Sequence, residues 1–291
     1  MSYTLILGDY AYSSWSLRGW LLFAKFGIKT KSVLLDFASN TSVADQLAAY
    51  APAKTVPTVV MPDGAIVSES LAIVEELASR HPDAGLWPSA PSDRATARSM
   101  TTEMHSGFAA LRGDCPMNLR IAFANTSPSE AVLADVARLE TLWAHAHATR
   151  QEGGPWLFGT YSAADAFFAP VAARLAGYDL PMSDLAKTYV ATHLADRSFR
   201  QWRAMGLVQG ETLTRYAKPF DVVDWPGPRP LKAHAVSGTD AENDRCPYSG
   251  KAVTDVLEFN GRRFGFCNPI CRDKTVADPE AWPAFMALVN A

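Results

Sequence analysis

The first eighty residues alternate between short apolar runs and segments whose apolar residues recur every three or four positions. The runs predict strands and the periodic segments predict helices. The strands are Tyr3–Leu7, Ser32–Phe37, Thr55–Met61 and Ala65–Val67, and the helices are Ser14–Phe26, 42–50 and Ser68–Arg80. A Pro-Asp-Gly turn joins the last two strands and predicts a hairpin. The order β-α-β-α-β-β-α therefore predicts an α/β unit over residues 1–81, whose first strand pair is parallel.

The middle of the chain has helical spacing only. A linker rich in proline and serine, 87–93, precedes it. Periodic apolar residues predict helices over Arg94–Arg112, Ser129–His147 and Ala166–Leu175. Ser162 and Asp165 form a capping-box pattern at the start of the last helix, a feature of folding and not of chemistry. Residues 94–217 are therefore predicted to be an all-α domain.

The last quarter of the chain has a different pattern. Residues 218–243 contain several prolines without a sustained period and predict a linker. In residues 244–291 the pattern predicts a hairpin over Val253–Phe266, with Asn260-Gly261 at its turn, and a helix over Thr275–Leu288. We expect a small separate module there.

Composition narrows the class of protein. The 291 residues are 48% hydrophobic and 20% charged, which is typical of globular domains, and the net charge of −3 favours neither nucleic acid nor an anionic membrane as partner. No apolar run approaches the roughly 18 residues that span a bilayer. Four cysteines are too few for a secreted disulfide framework, so we expect a reducing cytoplasm.

The junction of the first strand and helix carries adjacent hydroxyls, Ser13 and Ser14, downstream of Tyr10 and Tyr12. A helix N-terminus attracts anions, and a hydroxyl there can donate to one. The pattern predicts a site for an anion, with Ser13 or Ser14 as the hydroxyl donor. Two alternatives stay open: a tyrosine hydroxyl as the donor, and Ser13 as a plain helix N-cap.

Two further features fall on the same rim of the predicted sheet. Pro57 interrupts a strand, where it cannot donate to the ladder. It is either an edge-strand proline or a cis-proline that turns the backbone of Val56 outward. Glu69-Ser70 starts the next helix, whose N–H groups attract a carboxylate.

Together these residues resemble the glutathione site of the cytosolic glutathione transferases, in the serine-start form of the zeta-like and bacterial branches. The resemblance extends to about residue 215 and implies a thioredoxin-like half followed by a helical half. It implies that Ser13, with Ser14 as the close alternative, activates the glutathione sulfur. It also implies that Val56 and Pro57 hold the cysteinyl backbone, and that Glu69 and Ser70 hold the γ-glutamyl end. Trp15 stands where zeta enzymes carry a cysteine.

The resemblance also implies a pocket for a small hydrophobic electrophile and a homodimer. Tyr12, Trp15, Met104, Phe108 and Arg112 are the candidate lining residues, although Met or Phe at helical spacing is also typical of plain core. The implied activity is glutathione S-transferase conjugation or peroxide reduction. A non-catalytic glutathione-binding protein with a metal-responsive tail is the alternative.

Three cysteines in the tail, Cys246, Cys267 and Cys271, lie on a predicted knuckle, after a hairpin and near a helix start. Their spacing resembles TRASH and YHS-type modules and implies a treble-clef-like metal finger. Thiolates select zinc or other soft metals, and a short tail has too little core to fold unaided. Zn²⁺ needs a fourth ligand, for which the candidates of the tail are His234, Asp244, Asp255 and Asp273, while Ser249 stands where a second knuckle cysteine would be.

Overall fold

The computed structural model describes residues 2–291, which divide into two compact units. Unit 1 contains the residues up to Leu194 together with Gly210–Pro226. Unit 2 contains Ala195–Gln209 together with Gly227–Ala291. No helix within residues 2–291 is long and apolar enough to cross a bilayer.

Unit 1 begins with a four-stranded mixed sheet in the order β2-β1-β3-β4. Its strands are Tyr3–Leu7 (β1), Thr30–Leu34 (β2), Thr58–Val60 (β3) and Ile66–Ser68 (β4). β1 pairs parallel with β2, whereas β1–β3 and β3–β4 are antiparallel. The predicted element order is confirmed. The inner strands supply fully buried aliphatic side chains, including Leu5, Ile6 and Val59, to the core under the helices.

Eight helices belong to this part of the chain. They are Ser14–Ala24 (α1), Val43–Gln46 (α2), Ser70–Arg80 (α3), Pro91–Ser106 (α4), Ala109–Asp114 (α5), Glu130–Thr149 (α6), Ala163–Gly177 (α7) and Asp184–Ala195 (α8). Nearly every residue of α7 is buried, and its Ser162–Asp165 capping box is present. The predicted single helix over Arg94–Arg112 is wrong in one respect: it breaks at Gly107, because Phe108 takes a left-handed conformation (φ 59°).

Unit 2 is built on an antiparallel three-stranded sheet of Ala233–Val236 (β7), Asp255–Phe259 (β8) and Arg262–Phe266 (β9). The predicted hairpin is confirmed, with Asn260 and Gly261 both at positive φ in its turn. Its helices are Arg197–Val208 (α9), Pro269–Ala277 (α10) and Pro283–Val289 (α11). Its core contains four fully buried rings: Phe259, Phe264, Phe266 and Phe285.

The tail differs from the sequence prediction in its last helix. The predicted helix over Thr275–Leu288 is two helices with a 3₁₀ turn, Pro279–Ala281, between them. Proline has no N–H to continue a helix, so Pro279 and Pro283 each start a new turn.

The predicted linker and domain bounds also differ from the observed units. Residues 218–243 hold two short strands, Asp221–Val223 (β6), which pairs with Ala122–Ala124 (β5), and β7, which pairs with β8. α9, predicted within the helical domain, groups with the tail.

Candidate functional site

The loop from β1 into α1 is organised by Asp9, a carboxylate that is 9% exposed. Its Oδ1 accepts hydrogen bonds from the backbone N–H groups of Ala11 (2.6 Å) and Tyr12 (3.0 Å). The N–H of Ser13 donates to the carbonyl oxygen of Asp9 at 3.0 Å. These bonds hold the backbone turn that presents two serines at the start of the helix.

The two serines have different environments. Ser13 is the N-cap of α1 and only 5% exposed. Its hydroxyl accepts from the N–H of Ser16 (3.3 Å) and donates to Ser16 Oγ (2.8 Å), so it is engaged within the helix start. Ser14 is half-buried, and its oxygen accepts from Arg174 Nη2 at 3.2 Å. Among the described residues, no acceptor takes the Ser14 hydrogen, which remains available to donate.

The tyrosines upstream are core residues in this structure. Burial raises the pKa of Tyr10 to about 12. Tyr12 is 3% exposed, its ring lies 4.6 Å from that of Tyr216, and its hydroxyl accepts from the N–H of Leu213. Tyr12 therefore packs in a small cluster with Ala11 and Leu213.

The second part of the site is the rim at β3 and α3. The Val56–Pro57 peptide bond is cis, and no described residue pairs with the backbone N–H or C=O of Val56. Glu69 is the N-cap of α3 at φ 68°, and its Oε1 accepts from Thr55 Oγ1 at 3.0 Å. Ser70 is fully buried, and its Oγ has no partner within residues 2–291. The rim thus offers unpaired polar groups at a helix N-terminus.

Three guanidinium groups surround Trp15 and Ser14. The carbons of Arg18 and Arg112 each lie 4.4 Å from the Trp15 ring centroid, and Arg174 donates to Ser14. Their other hydrogen bonds go to backbone oxygens. Arg18 donates to Phe167, and Arg174 donates to Cys115 and Pro170. Arg112 donates to the oxygens of Met104, His105 and Gly107. In the described chain none of the three forms a salt bridge, and Arg18 Nη1 is buried without a partner.

Charge crowding is reflected in the pKa values. Burial, and then the neighbouring Arg112 and Arg174, lower the pKa of Arg18. Burial, with Arg112 beside it, lowers the pKa of Arg174 to about 10. The cluster therefore has an electrostatic preference for an added negative charge.

His105 connects this cluster to the rim. Its ring lies 5.2 Å from that of Trp15, and its Nε2 is 3.8 Å from Glu69 Oε2. Burial lowers its pKa, against the raising effect of Glu69. Glu69, His105, Trp15 and Arg112 thus follow one another as spatial neighbours.

Three predicted pocket residues are core residues, and Tyr12 is one of them. Met104 is fully buried and Phe108 is 6% exposed, so both are core in this structure. No role was predicted from the sequence for Arg18 or for Arg174. A signal for Arg174 was present, since it is the one basic residue in the otherwise apolar stretch of α7.

A second candidate site is the thiol cluster of unit 2, made of Cys246, Cys267 and Cys271. Their sulfur atoms lie within 4.8 Å of one another, so the structure brings together the three predicted ligands. Cys246 lies on a knuckle that two backbone hydrogen bonds close. The N–H of Cys246 donates to the carbonyl oxygen of Lys251 (2.8 Å), and the N–H of Gly250 donates to the carbonyl oxygen of Cys246 (2.9 Å). Cys267 follows β9, and Cys271 lies in the first turn of α10.

Hydrogen-bond donors and a cation surround these thiols. Ser249 Oγ and Asn268 Nδ2 donate to Cys267 Sγ at 3.1 and 3.2 Å. The Lys274 ammonium lies over the rings of Tyr248 (4.2 Å) and Trp282 (4.1 Å). Burial raises the pKa of Cys246, but hydrogen bonds from backbone N–H groups around it prevail and lower it to about 7.

The predicted fourth ligands do not join the cluster. Asp255 and Asp273 both pair with Arg272, at 3.1 and 2.7 Å. His234 and Asp244 are exposed, and His234 lies opposite Glu258 in the β7–β8 register. Within residues 2–291 the group of candidate metal ligands here consists of the three thiols.

The fold and the first site define a class. Residues 12–80 match the family model of the glutathione S-transferase N-terminal domain. A glutathione transferase homologue from Burkholderia, solved with bound glutathione, has a TM-score of 0.51 and 23% identity over 69% of this chain and 96% of its own. Glutathione transferase Omega 1C from Trametes versicolor has a TM-score of 0.53 and 20% identity over 69% of this chain and 90% of its own. The chain thus contains a glutathione transferase fold.

Curated relatives match a shorter stretch. A probable maleylacetoacetate isomerase from Caenorhabditis elegans is 36% identical over 103 residues, which are 35% of this chain and 47% of that protein. The maleylacetoacetate isomerase of Dictyostelium discoideum is 34% identical over 87 residues, 30% of this chain and 39% of that protein. The chain thus spans less than half the length of either relative.

Proposed function

We propose that the chain is a glutathione-dependent enzyme, which converts bound glutathione to its thiolate and directs the sulfur at a small electrophile. The observation that carries this proposal is the Ser14 hydroxyl at the N-terminus of α1, which accepts from Arg174 and keeps its own hydrogen to donate. A thiol with a pKa near 8.5 is mostly protonated at neutral pH. Lowering that pKa by about 1.5 units requires about 2 kcal/mol, which a charge-supported hydroxyl donor at a helix N-terminus supplies.

Glutathione has a matching place beside this hydroxyl. The unpaired backbone of Val56 would bind the cysteinyl backbone, and Ser70 Oγ with Glu69 would bind the γ-glutamyl end. The orphaned Ser70 hydroxyl supports this placement, because a buried polar group without a partner is costly unless a ligand satisfies it. In this arrangement Ser13 positions Ser16 and the helix start, and Ser14 donates to sulfur.

The electrophile of the proposed reaction carries a negative group, in addition to the hydrophobic character predicted from sequence. Arg18, Arg112 and Arg174 support this, since guanidinium groups suit carboxylates and none has one here. Both curated relatives are named for maleylacetoacetate, itself a dicarboxylate.

Two chemical outcomes follow from the same thiolate. In conjugation the thiol proton leaves to solvent, a carbon–sulfur bond forms, and the bond to the leaving group breaks. In isomerisation the sulfur adds to one carbon of a double bond and departs again after rotation, so that glutathione is regenerated. Isomerisation therefore needs no leaving group. Peroxide reduction, the other activity implied by the resemblance, is assayed beside these two.

The test is the ultraviolet absorbance of bound glutathione thiolate in the wild type and in Ser14→Ala and Ser13→Ala. Ser14→Ala should raise the pKa of the bound thiol by about 1 unit, because a hydrogen bond to a charged atom is worth about 1.5 kcal/mol or more. Ser13→Ala should instead cost about 1 kcal/mol of folding stability, the usual cost of losing a helix N-cap, with a smaller change in the thiol pKa.

The matched pair decides the role of each serine. A thiolate that disappears only in Ser13→Ala would make Ser13 the donor. Glutathione that binds as a thiol in the wild type would reject the enzyme and favour a non-catalytic glutathione-binding protein with a metal-binding tail.

We propose a second function for the tail, in which the thiol cluster binds a soft metal ion. The ion expected from the sequence is Zn²⁺. Three sulfurs within 4.8 Å support this, because thiolates bind zinc and other soft metals. Native mass spectrometry of the reduced full chain should show one ion per chain, lost in Cys267→Ser. Cys115→Ser removes the solitary buried thiol of unit 1 and should leave the metal content unchanged.

The proposed setting is a homodimer in the cytoplasm, with glutathione and the electrophile as its partners. All four cysteines are free thiols, as a reducing compartment would keep them. Sedimentation of the purified chain measures its oligomeric state.

A further inference from the structure

We infer that the thiol cluster binds Cu(I) in preference to Zn²⁺. Cu(I) is a soft ion whose coordination three thiolates complete. This inference rests on the proposed metal-binding function of the tail. It concerns which ion the cluster selects.

The number of donors is the first argument. Structural zinc sites are almost always four-coordinate, whereas this cluster has three thiols and no further His, Cys, Asp or Glu in the described chain. A metal–sulfur distance of about 2.3 Å places three sulfurs of a trigonal site about 4 Å apart. Sulfurs already within 4.8 Å need to move little to reach that geometry.

The groups next to the sulfurs do not supply a fourth ligand either. Asn268 turns its amide nitrogen to Cys267, while its oxygen accepts from the N–H of Cys271. Ser249 donates its hydrogen to Cys267, and its oxygen accepts from the N–H of Lys251 at 3.3 Å. These groups stabilise thiolate charge from outside and leave the ion to the three sulfurs.

Lys274 supports a low-valent ion. A monovalent ion bound by three thiolates leaves excess negative charge on the sulfurs. The Lys274 ammonium is held in place by Tyr248 and Trp282, one helical turn after Cys271, where it offsets part of that charge.

Ser249→Cys is the decisive variant, because it places a fourth thiol where the hydroxyl now lies 3.1 Å from Cys267 Sγ. The reduced full-length protein is titrated anaerobically with Cu(I) and separately with Zn²⁺, each against a chromogenic chelator. The wild type should take one Cu(I) and bind Zn²⁺ weakly. Ser249→Cys should raise the Zn²⁺ affinity on the order of 100-fold and change the Cu(I) affinity on the order of tenfold or less.

Ser237→Cys is the matched control, since it adds an exposed thiol at the end of β7 that is not part of the cluster. It should leave both affinities unchanged. X-ray absorption of the Cu(I)-loaded wild type should show three sulfur neighbours, a result that does not depend on any variant folding.

Two results would overturn the inference, and they differ in what else they reject. Equal Zn²⁺ affinity in the wild type and Ser249→Cys, with four-coordinate Zn²⁺ in the wild type, rejects the selectivity and keeps the metal-binding function. Failure of the wild type to bind either ion rejects both.

Discussion

Single residues near Trp15 depart from the usual rule that buried charges are paired with opposite charges. Arg18 is 1% exposed, and it is held by a backbone oxygen and two aromatic faces. Removing a guanidinium from water without a carboxylate partner is costly. Arg18 and Arg174 are both buried and bear that cost, and Arg112 shares the Trp15 ring with Arg18. This arrangement supports the anionic group proposed above for the electrophile.

A buried histidine sets part of the acid sensitivity of unit 1. His193 is 1% exposed among the rings of Trp156 and Tyr189, and burial lowers its pKa to about 3. In the unfolded chain the His193 imidazole takes up a proton below about pH 6.5. In the folded chain it stays neutral until the pH approaches 3. The contribution to stability is therefore full above pH 6.5 and is lost as the pH falls, by about 1.4 kcal/mol per pH unit.

His193→Phe keeps a ring at this position and removes the titration. Its free energy of unfolding, from urea melts at pH 7.5, 6.5 and 5.5, should fall less steeply on acidification than that of the wild type. His145→Phe, on the exposed surface of α6, should retain the wild-type slope. Parallel slopes for all three proteins would contradict the assignment to His193.

Among the elements, α1 has a close contact with the rim of the sheet. A Cβ at Gly19 would lie 2.6 and 2.7 Å from Cβ and Cγ of Pro57, nearer than side chains tolerate. Gly19 is thus the point at which the helix that carries the serines meets Pro57, which follows Val56 in the bend before β3. Because Gly19 has no side chain, the two parts of the proposed glutathione site can approach each other closely.

Gly19→Ala should lower the free energy of unfolding by about 1–3 kcal/mol, the usual cost of overpacking, and weaken glutathione binding. Gly113→Ala is the matched control on α5, because a Cβ there meets nothing within 4 Å. It should be neutral or stabilising by up to about 1 kcal/mol, since alanine favours a helix. Chemical denaturation measures the free energy of unfolding, and calorimetric titration measures glutathione binding. A Gly19→Ala protein as stable as the wild type would show that Pro57 moves to make room for the added methyl group.

The elements most predictable from sequence are those with a local cause. Asn260-Gly261 defined the tail hairpin by its turn chemistry, and the β-α-β-α-β-β-α order followed from periodicity. The break at Phe108 was not predictable, because the residue adopts a left-handed conformation that its type does not favour.

The site was predictable to the extent that it lies on helix termini. Ser13, Glu69 and Cys271 stand at such positions, whereas Arg174 is distant in sequence from the Ser14 it contacts. The different environments of Ser13 and Ser14 also depend on this contact from α7. The lone basic residue of α7 is visible in the sequence, but its contact with Ser14 is long-range and has no local signal.

On the scale of the whole molecule, the tail is fastened to α9 by a partly buried ion pair. Arg200 makes two hydrogen bonds to Asp278 (2.8 and 2.7 Å), whose side chain is 7% exposed, and Gln201 donates to the Ala281 oxygen at 2.7 Å. Ala204 of the same helix lies in the hydrophobic core of unit 2. This helix is therefore part of the tail's own core.

Arg200→Leu should destabilise unit 2 by about 3 kcal/mol, because it leaves the Asp278 carboxylate without its partner. Arg138→Leu removes an equally bidentate pair with Glu103 on the surface and should cost less than about 1 kcal/mol. Limited proteolysis of the tail together with urea melts compares the two. Equal costs would mean that the Arg200 pair is as well solvated as the surface one.

Unit 2 combines two separated stretches of sequence, so the residues from Gly227 onward do not by themselves contain all of its core. A transplanted tail would arrive without Arg200, Gln201 and Ala204, and would need a recipient helix already carrying them. We therefore expect substitutions at Arg200 and Asp278 to be paired across related chains, because either one alone breaks the ion pair.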